Sequence, residues 1–350
     1  MSAQQHTWPS VLGALLGDRV VSREAAAWAM NEIMAGAATN AQTAGFAVAL
    51  RAAGETADVV AGMVDTMLQN AADASAPAGC VDIVGTGGDQ AHTVNISTMS
   101  AIVSAGAGIQ VAKHGGRAAS SACGAADVLE ELGVKLGLDG DGVARCINEV
   151  GIGFFFAPNF HSGMRYAGPA RKELGIPTVF NFLGPLSNPA RPSAMAVGCA
   201  DQRMAPIMAD VMRMRGVSAL VFRGDDGLDE LTTTTTSQVW AVPADGSPVQ
   251  QQQLDPASLG IGAARPEDLR GGPPEFNAQV VRDLLHGSTG PVREAVLLNS
   301  AAAIVAHDGV PASAAEVQAA FPEALRRASE AIDSGAAAGV LERWIAVSNA

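Results

Sequence analysis

The chain has 350 residues, of which 48% are hydrophobic, 16% charged and only 4% aromatic, with 39 glycines. That length suits roughly two domains of about 100–200 residues each, with cores built from Ala, Val, Leu and Ile. The formal net charge of −13 argues against a general nucleic-acid or membrane-surface binder, because both need a basic footprint. Cys80, Cys123, Cys146 and Cys199 form no Cys-x-x-Cys pair, so neither a zinc site nor a disulfide framework is suggested. Met1–Gln5 has no basic n-region before an apolar run, and the uncharged stretch Ile96–Ala112 is punctuated by polar residues and glycine. No signal peptide or membrane span is expected, and a soluble cytoplasmic protein is the default.

The first seventy or so residues read as short helices. Pro9 opens one that ends at Gly17. Ser22 caps a second running to Gly36, Thr39 a third ending at Gly54, and Thr56 a fourth ending near Asn70; hydroxyl caps and terminal glycines carry this reading. The small-residue linker Asp73–Gly79 marks a boundary. Strand-length apolar runs follow: Val81–Val84, Ile109–Ala112, Phe154–Phe156, Thr178–Phe180, Ala194–Gly198 and Ala219–Phe222. Between them Ser97–Ala105, Ala125–Leu132, Asp141–Val150 and Met204–Arg215 fit helices. This alternation predicts an α/β fold with a mainly parallel sheet covered on both faces. Thr232–Thr236 suits a strand or its approach, and from Glu275 the chain is Ala-rich and helical again.

Four stretches carry polar chemistry. Gly85-Thr86-Gly87-Gly88-Asp89 follows the first strand and precedes Asn95-Ile96-Ser97-Thr98, which opens a helix. Glycines admit an anion close to the backbone, and a helix start adds open N–H groups. Gln90 stands where a dinucleotide fingerprint needs its third Gly, and no Gly-Lys-Ser/Thr is present. Lys113-His114-Gly115-Gly116-Arg117 ends the second strand and offers a phosphate clamp, with Ser120 and Ser121 as extra donors. Asp225-Asp226-Gly227-Leu228-Asp229-Glu230 suits Mg²⁺, which favours one or two carboxylates plus substrate phosphates, with the Ser97 hydroxyl able to complete its shell. In the stretch from Phe160 to Glu173, Arg165 or Arg171 could face a carboxylate and His161 line a pocket. Taken singly, these are equally well a capped turn, a solvated basic loop, an acidic turn and a surface helix. Three strand-end loops offering anion donors, cations and metal ligands together point to a site.

In order and spacing, Gly85–Asp89 with Asn95–Thr98, Lys113–Arg117, Gly124–Asp127, Phe156–Arg171, Asn181–Pro189, Asp226–Glu230, Asn277-Ala278 and Gly290–Arg293 resemble the anthranilate phosphoribosyltransferases of tryptophan biosynthesis. The resemblance spans nearly the whole chain. It implies a small all-helical domain (residues 1–75, joined by a returning segment near 165–190) through which two subunits pair as a homodimer. It further implies a larger α/β domain (80–164 and 191–350) with a central, mainly parallel sheet flanked by helices, which binds phosphoribosyl pyrophosphate. Carried over residue by residue, Gly85, Gly88, Asp89, Thr93, Asn95, Ser97, Thr98, Lys113, Gly115, Arg117 and Ser121 would hold the donor. Gly85, His114, Gly116, His161 and Arg171 would surround anthranilate, and Ser97, Asp229 and Glu230 would hold Mg²⁺. No residue is assigned as an acid or base. Three positions depart from the usual family pattern: Gly116 replaces an Asn that touches the acceptor, Ala125 a Ser, and Ser162 a Pro. A relative acting on a different aromatic acceptor, or a phosphorylase, is the alternative at this stage. A nucleic-acid-binding relative is disfavoured by the −13 charge.

Overall fold

The computed structural model describes residues 6–118 and 122–350. It opens with four helices, α1 (Trp8–Gly17), α2 (Arg23–Met34), α3 (Asn40–Ala53) and α4 (Ala57–Gln69). Their first turns are closed by Thr7, Ser22, Thr39 and Thr56, whose hydroxyls accept from the backbone N–H groups of Ser10, Ala25, Gln42 and Val59. These bonds satisfy donors that a helix start otherwise leaves without partners. Gly54 ends α3 at φ 96°, a conformation that a side chain would resist.

One seven-stranded sheet follows: β1 (Val81–Gly85), β2 (Val111–Gly115), β3 (Ile152–Phe156), β4 (Ala194–Gly198), β5 (Ser218–Gly224), β6 (Ser237–Val242) and β7 (Gln250–Leu254). Its order is β3-β2-β1-β4-β5-β6-β7. β1 to β5 run parallel, and β6 and β7 extend the sheet antiparallel. Strand side chains alternate between two cores, as a pleat covered on both faces demands. Ala194, Ala196, Leu220, Phe222, Val239 and Ala241 enter one core with the C-terminal helices. Met195, Val197, Ala219, Val221, Trp240 and Val242 enter the other, which is continuous with Met30, Phe46, Val60 and Val64 of the helical bundle. Phe180, Leu183 and Leu186, more than a hundred residues later, pack into that second core too. Arg51 and Glu55 pair with Asp201 and Arg203 at 3.0 and 2.5 Å, tying the bundle to the loop after β4.

The structure corrects the sequence reading in several places. Thr178–Phe180 is not a strand: the chain turns at Val179 into the helix Phe180–Leu186, and the Asn181 side chain accepts from the Thr178 N–H at 3.0 Å. Burial of Phe180 and Leu183 against the bundle overrides the β propensity of Thr-Val-Phe. The second strand is shifted towards the C-terminus, because Val111 to Gly115 pair in register with Ile152 to Phe156. Lys113, His114 and Gly115 are therefore strand residues rather than loop residues. Thr232–Thr236 is an approach to β6, and β6 and β7 themselves were not foreseen. No described helix is long and apolar enough to cross a membrane.

Candidate active site

From β1 the chain builds β2 and β3 on one side and then crosses to place β4 on the other. Open α/β sheets bind ligands at such a reversal, outside the carboxyl ends of the strands. Gly85 and Gly198 end β1 and β4 there as register partners. Both are Gly for a steric reason. A Cβ on Gly85 would stand 2.3 Å from Asp229 Oδ2, and one on Gly198 only 1.6 Å from the Asp229 carbonyl oxygen. The segment after β5 thus lies across two bare strand ends. Gly198→Ala is expected to displace the Asp229 backbone and to lower stability by about 1–3 kcal/mol, as overpacking typically does; denaturant midpoints of the two proteins check it.

Asp229 and Glu230 are buried, at 8% exposure each. The Gly87 N–H donates to Asp229 Oδ2 at 2.6 Å. Burial, reinforced by the neighbouring Asp89 charge, pushes Asp229 up to about 7. Glu230 is held well above the usual carboxylate range by burial and by Asp229 beside it, against the attraction of Lys113 and a hydrogen bond from the Ser97 backbone. Ser97 opens the helix Ile96–Gly106, whose Asn95 cap makes no side-chain hydrogen bond to it, so Glu230 faces the positive end of that helix. Lys113 is turned inward: its Nζ donates to the Ile83 carbonyl at 2.6 Å and to Ser97 Oγ at 3.4 Å. Among the described residues Asp89, Asp229 and Glu230 crowd together while Lys113 offsets only Glu230 of the three, and this excess of negative charge suits a divalent cation. No group of three or more His, Cys, Asp or Glu side chains with metal-binding geometry occurs among the described residues. A cation on Asp229, Glu230 and the Ser97 hydroxyl would take the rest of its shell from water and substrate oxygens, as Mg²⁺ commonly does. Asp225 and Asp226 do not join this set. Asp226 accepts from Thr232 and Thr234 hydroxyls and Asp225 from Thr236, which fixes the approach to β6.

The loop between β1 and the helix is shaped by positive φ at Gly87, Gly88, Gln90 and His92. Its far side is pinned to a segment the motifs did not flag: Thr93 bridges Arg270, and the Val94 and Gly271 N–H groups donate to the Leu269 and His92 carbonyls. The Asn95 amide donates to the Cys123 carbonyl and accepts from Asn277. Thr98 is fully buried with no partner for its hydroxyl among the described residues. Arg117 is exposed, and its guanidinium binds Asp127 and Glu130 at 2.9 and 2.8 Å, so a phosphate there must compete with two carboxylates. Gly115 closes β2 against the Phe154 ring, while around Gly116 a Cβ would meet nothing within 4 Å among the described residues. Ser120 and Ser121 lie outside the described residues.

His114 and His161 face each other edge-on with ring centroids 5.4 Å apart. Both are buried, at 2% and 4% exposure. Burial drives His114 down to about 3, with repulsion from His161 adding to it, so it is neutral near pH 7 and its Nε2 has no partner. His161 Nε2 is 2.7 Å from the Ser187 carbonyl. Asp82 accepts the His114 N–H and the Asn188 amide at 3.1 and 2.8 Å, and burial raises it to about 6. Asn188 therefore fastens the returning segment to β1 beneath the histidines. The side chain of Arg171, in the helix Gly168–Leu174, has no hydrogen-bond or ion-pair partner among the described residues, and burial lowers its pKa. A largely buried guanidinium without a counter-ion is a receptor for an anion.

Bare strand ends at a sheet reversal, beside a buried pair of carboxylates, mark the place where open α/β enzymes bind their ligands. The glycosyl transferase family a/b domain matches residues 77–338, and that family's helical bundle domain matches residues 9–71. The anthranilate phosphoribosyltransferases of Thermobifida fusca and Salinispora arenicola are each 57% identical to the chain, covering 99% of it and 98% of the relative. The crystal structure of anthranilate phosphoribosyltransferase from Thermus thermophilus aligns with a TM-score of 0.89 at 38% identity, over 97% of this chain and 99% of that one. The Saccharomyces cerevisiae enzyme in complex with PRPP and Mg aligns at 0.86 and 28% identity, over 98% of both chains. The chain belongs to the anthranilate phosphoribosyltransferase family.

Proposed function

We propose that the protein transfers the 5-phosphoribosyl group of phosphoribosyl pyrophosphate to the amine of anthranilate, giving N-(5-phosphoribosyl)anthranilate and pyrophosphate in tryptophan biosynthesis. The observation that carries this reading is the seating of Asp229 over Gly85 and Gly198, beside Glu230 and Ser97. The donor belongs against Gly85, Gly88, Asp89, Thr93, Asn95, Ser97 and Thr98. Lys113 neutralises the floor from beneath, and Gly115, Arg117 and Ser121 complete the wall. Bound to Ser97, Asp229 and Glu230, Mg²⁺ supplies the charge that stabilises departing pyrophosphate.

Arg171 pairs with the anthranilate carboxylate and orients the ring, while neutral His114, His161 and the backbone at Gly85 and Gly116 line its pocket. The aromatic amine is already unprotonated near pH 7, so its lone pair is available without a strong general base. Rate enhancement then comes from holding the two substrates in line and from stabilising the leaving group. Burial of the histidines keeps water from the cationic ribose carbon. Residues 1–75, with the returning segment near 165–190, form the helical domain in this reading, and 80–164 with 191–350 the donor-binding domain. Leu16, Val20 and Val48 are 76%, 67% and 41% exposed on the bundle, which supports pairing of two copies there. Buried thiols at Cys80, Cys146 and Cys199 suit a reducing compartment such as the cytoplasm.

The test is the decay of anthranilate fluorescence with donor and Mg²⁺. Consumption dependent on both is the expected result. No consumption by a folded protein that still binds the donor would redirect the acceptor assignment to another aromatic amine, for which the open space at Gly116 leaves room.

A further inference from the structure

Asn299 is a polar residue with no exposure in the middle of the helix Pro291–Asp308, where every residue from Ala295 to Ala306 is buried. Neither helix propensity nor apolar packing favours an Asn there. Its carboxamide is fully engaged. Oδ1 accepts the Leu231 N–H at 2.9 Å, and Nδ2 donates to the Leu231 and Ala295 carbonyls, each at 2.9 Å. One side chain thus closes both backbone groups of the residue that directly follows Glu230. The next residue on the same helix reaches the other way: Ser300 Oγ donates to the Ser100 carbonyl at 3.5 Å, and Ser100 Oγ donates to the Val296 carbonyl at 3.3 Å. Those bonds hold the helix Ile96–Gly106, which carries Ser97. A single buried helix therefore grips both halves of the cation seat.

We propose that Asn299 is a positioning residue that sets the placement of Asp229 and Glu230 relative to Ser97, and so the protein's affinity for the divalent cation. This rests on the reading of those three residues as the cation seat. Asn299 acts through the Leu231 backbone, which it holds from the side of the helix Pro291–Asp308.

The test is an electron paramagnetic resonance titration of the full-length protein with Mn²⁺ in the presence of inorganic pyrophosphate. Asn299→Leu is compared with the parent and with the Asp229→Asn/Glu230→Gln double variant. The expected result is a Kd for Mn²⁺ raised about tenfold or more, the range typical when a group orienting a metal ligand is lost. The KM for the donor rises with it, while the KM for anthranilate stays within about twofold of the parent, since a loss of cation affinity acts on the donor side. A folded variant with parental Mn²⁺ affinity and parental donor KM, changed only in its melting temperature, would overturn the proposal. If Asn299→Leu does not fold, Asn299→Asp decides by the same readings; it keeps the side-chain shape and loses the two N–H donors. A parent that binds Mn²⁺ no better than the double variant would overturn the cation seat and this proposal together. Binding lost in the double variant but kept in the Asn299 variants would overturn the role of Asn299 alone.

Discussion

The double substitution Asp229→Asn/Glu230→Gln is expected to lower kcat/KM by about 10³-fold or more, because each group that offsets charge on a leaving group is commonly worth about 3 kcal/mol. The same change is expected to stabilise the cation-free fold at neutral pH. Both carboxyls are raised in the folded protein, Asp229 to about 7. As pH climbs past the ordinary carboxylate range near 4, the unfolded chain releases these protons while the fold retains them, so stability falls between about pH 4 and 7. The amides do not titrate and so carry no such penalty. Denaturant midpoints at pH 4.5 and 7.5 without divalent cations check this: the parent loses stability across that window more steeply than the variant. A variant that is both inactive and less stable at pH 7.5 would contradict the picture of an electrostatically strained seat.

Arg171→Gln is expected to raise the KM for anthranilate by about 10- to 100-fold with little change in the KM for the donor. The magnitude follows from losing a charge-assisted pair with a carboxylate, about 1.5–3 kcal/mol. Little folding cost is expected, since the guanidinium has no partner within the described protein to lose. Steady-state kinetics with each substrate varied in turn separate the two constants. A change confined to the donor would move Arg171 out of the acceptor pocket. Lysine at this position is not expected to rescue fully, because a point charge cannot make the two parallel bonds of a planar fork.

Much of this architecture can be read from short patterns. Ser22, Thr39 and Thr56 mark helix starts because a hydroxyl cap works within four residues, and the Gly-rich turn after Val84 marks a strand end for the same local reason. What escaped is non-local. Gly198 sits in an ordinary apolar strand, and its need for no side chain arises from Asp229, thirty-one positions on. Lys113 reads as a loop cation, yet pairing with β3 draws it into the sheet, where Ile83, Ser97 and Glu230 fix it. The antiparallel β6–β7 pair is hidden by a run of glutamines at Gln250–Gln253, whose side chains suit an exposed edge rather than a core. Asn299 left one trace, a lone carboxamide in Leu-Leu-Asn-Ser-Ala-Ala, a signal that asks which backbone it serves. Propensity alone misassigned Thr178–Phe180, where the chain turns into a helix instead.

The apolar core shared by the helical bundle and one face of the sheet bears on how the molecule can evolve. Two stretches that match separate family models here share one apolar core. A change in bundle packing therefore meets Met195 and Val197, on the strand that ends in Gly198. Sequence drift in the bundle is constrained by the sheet it packs on as well as by its own helices.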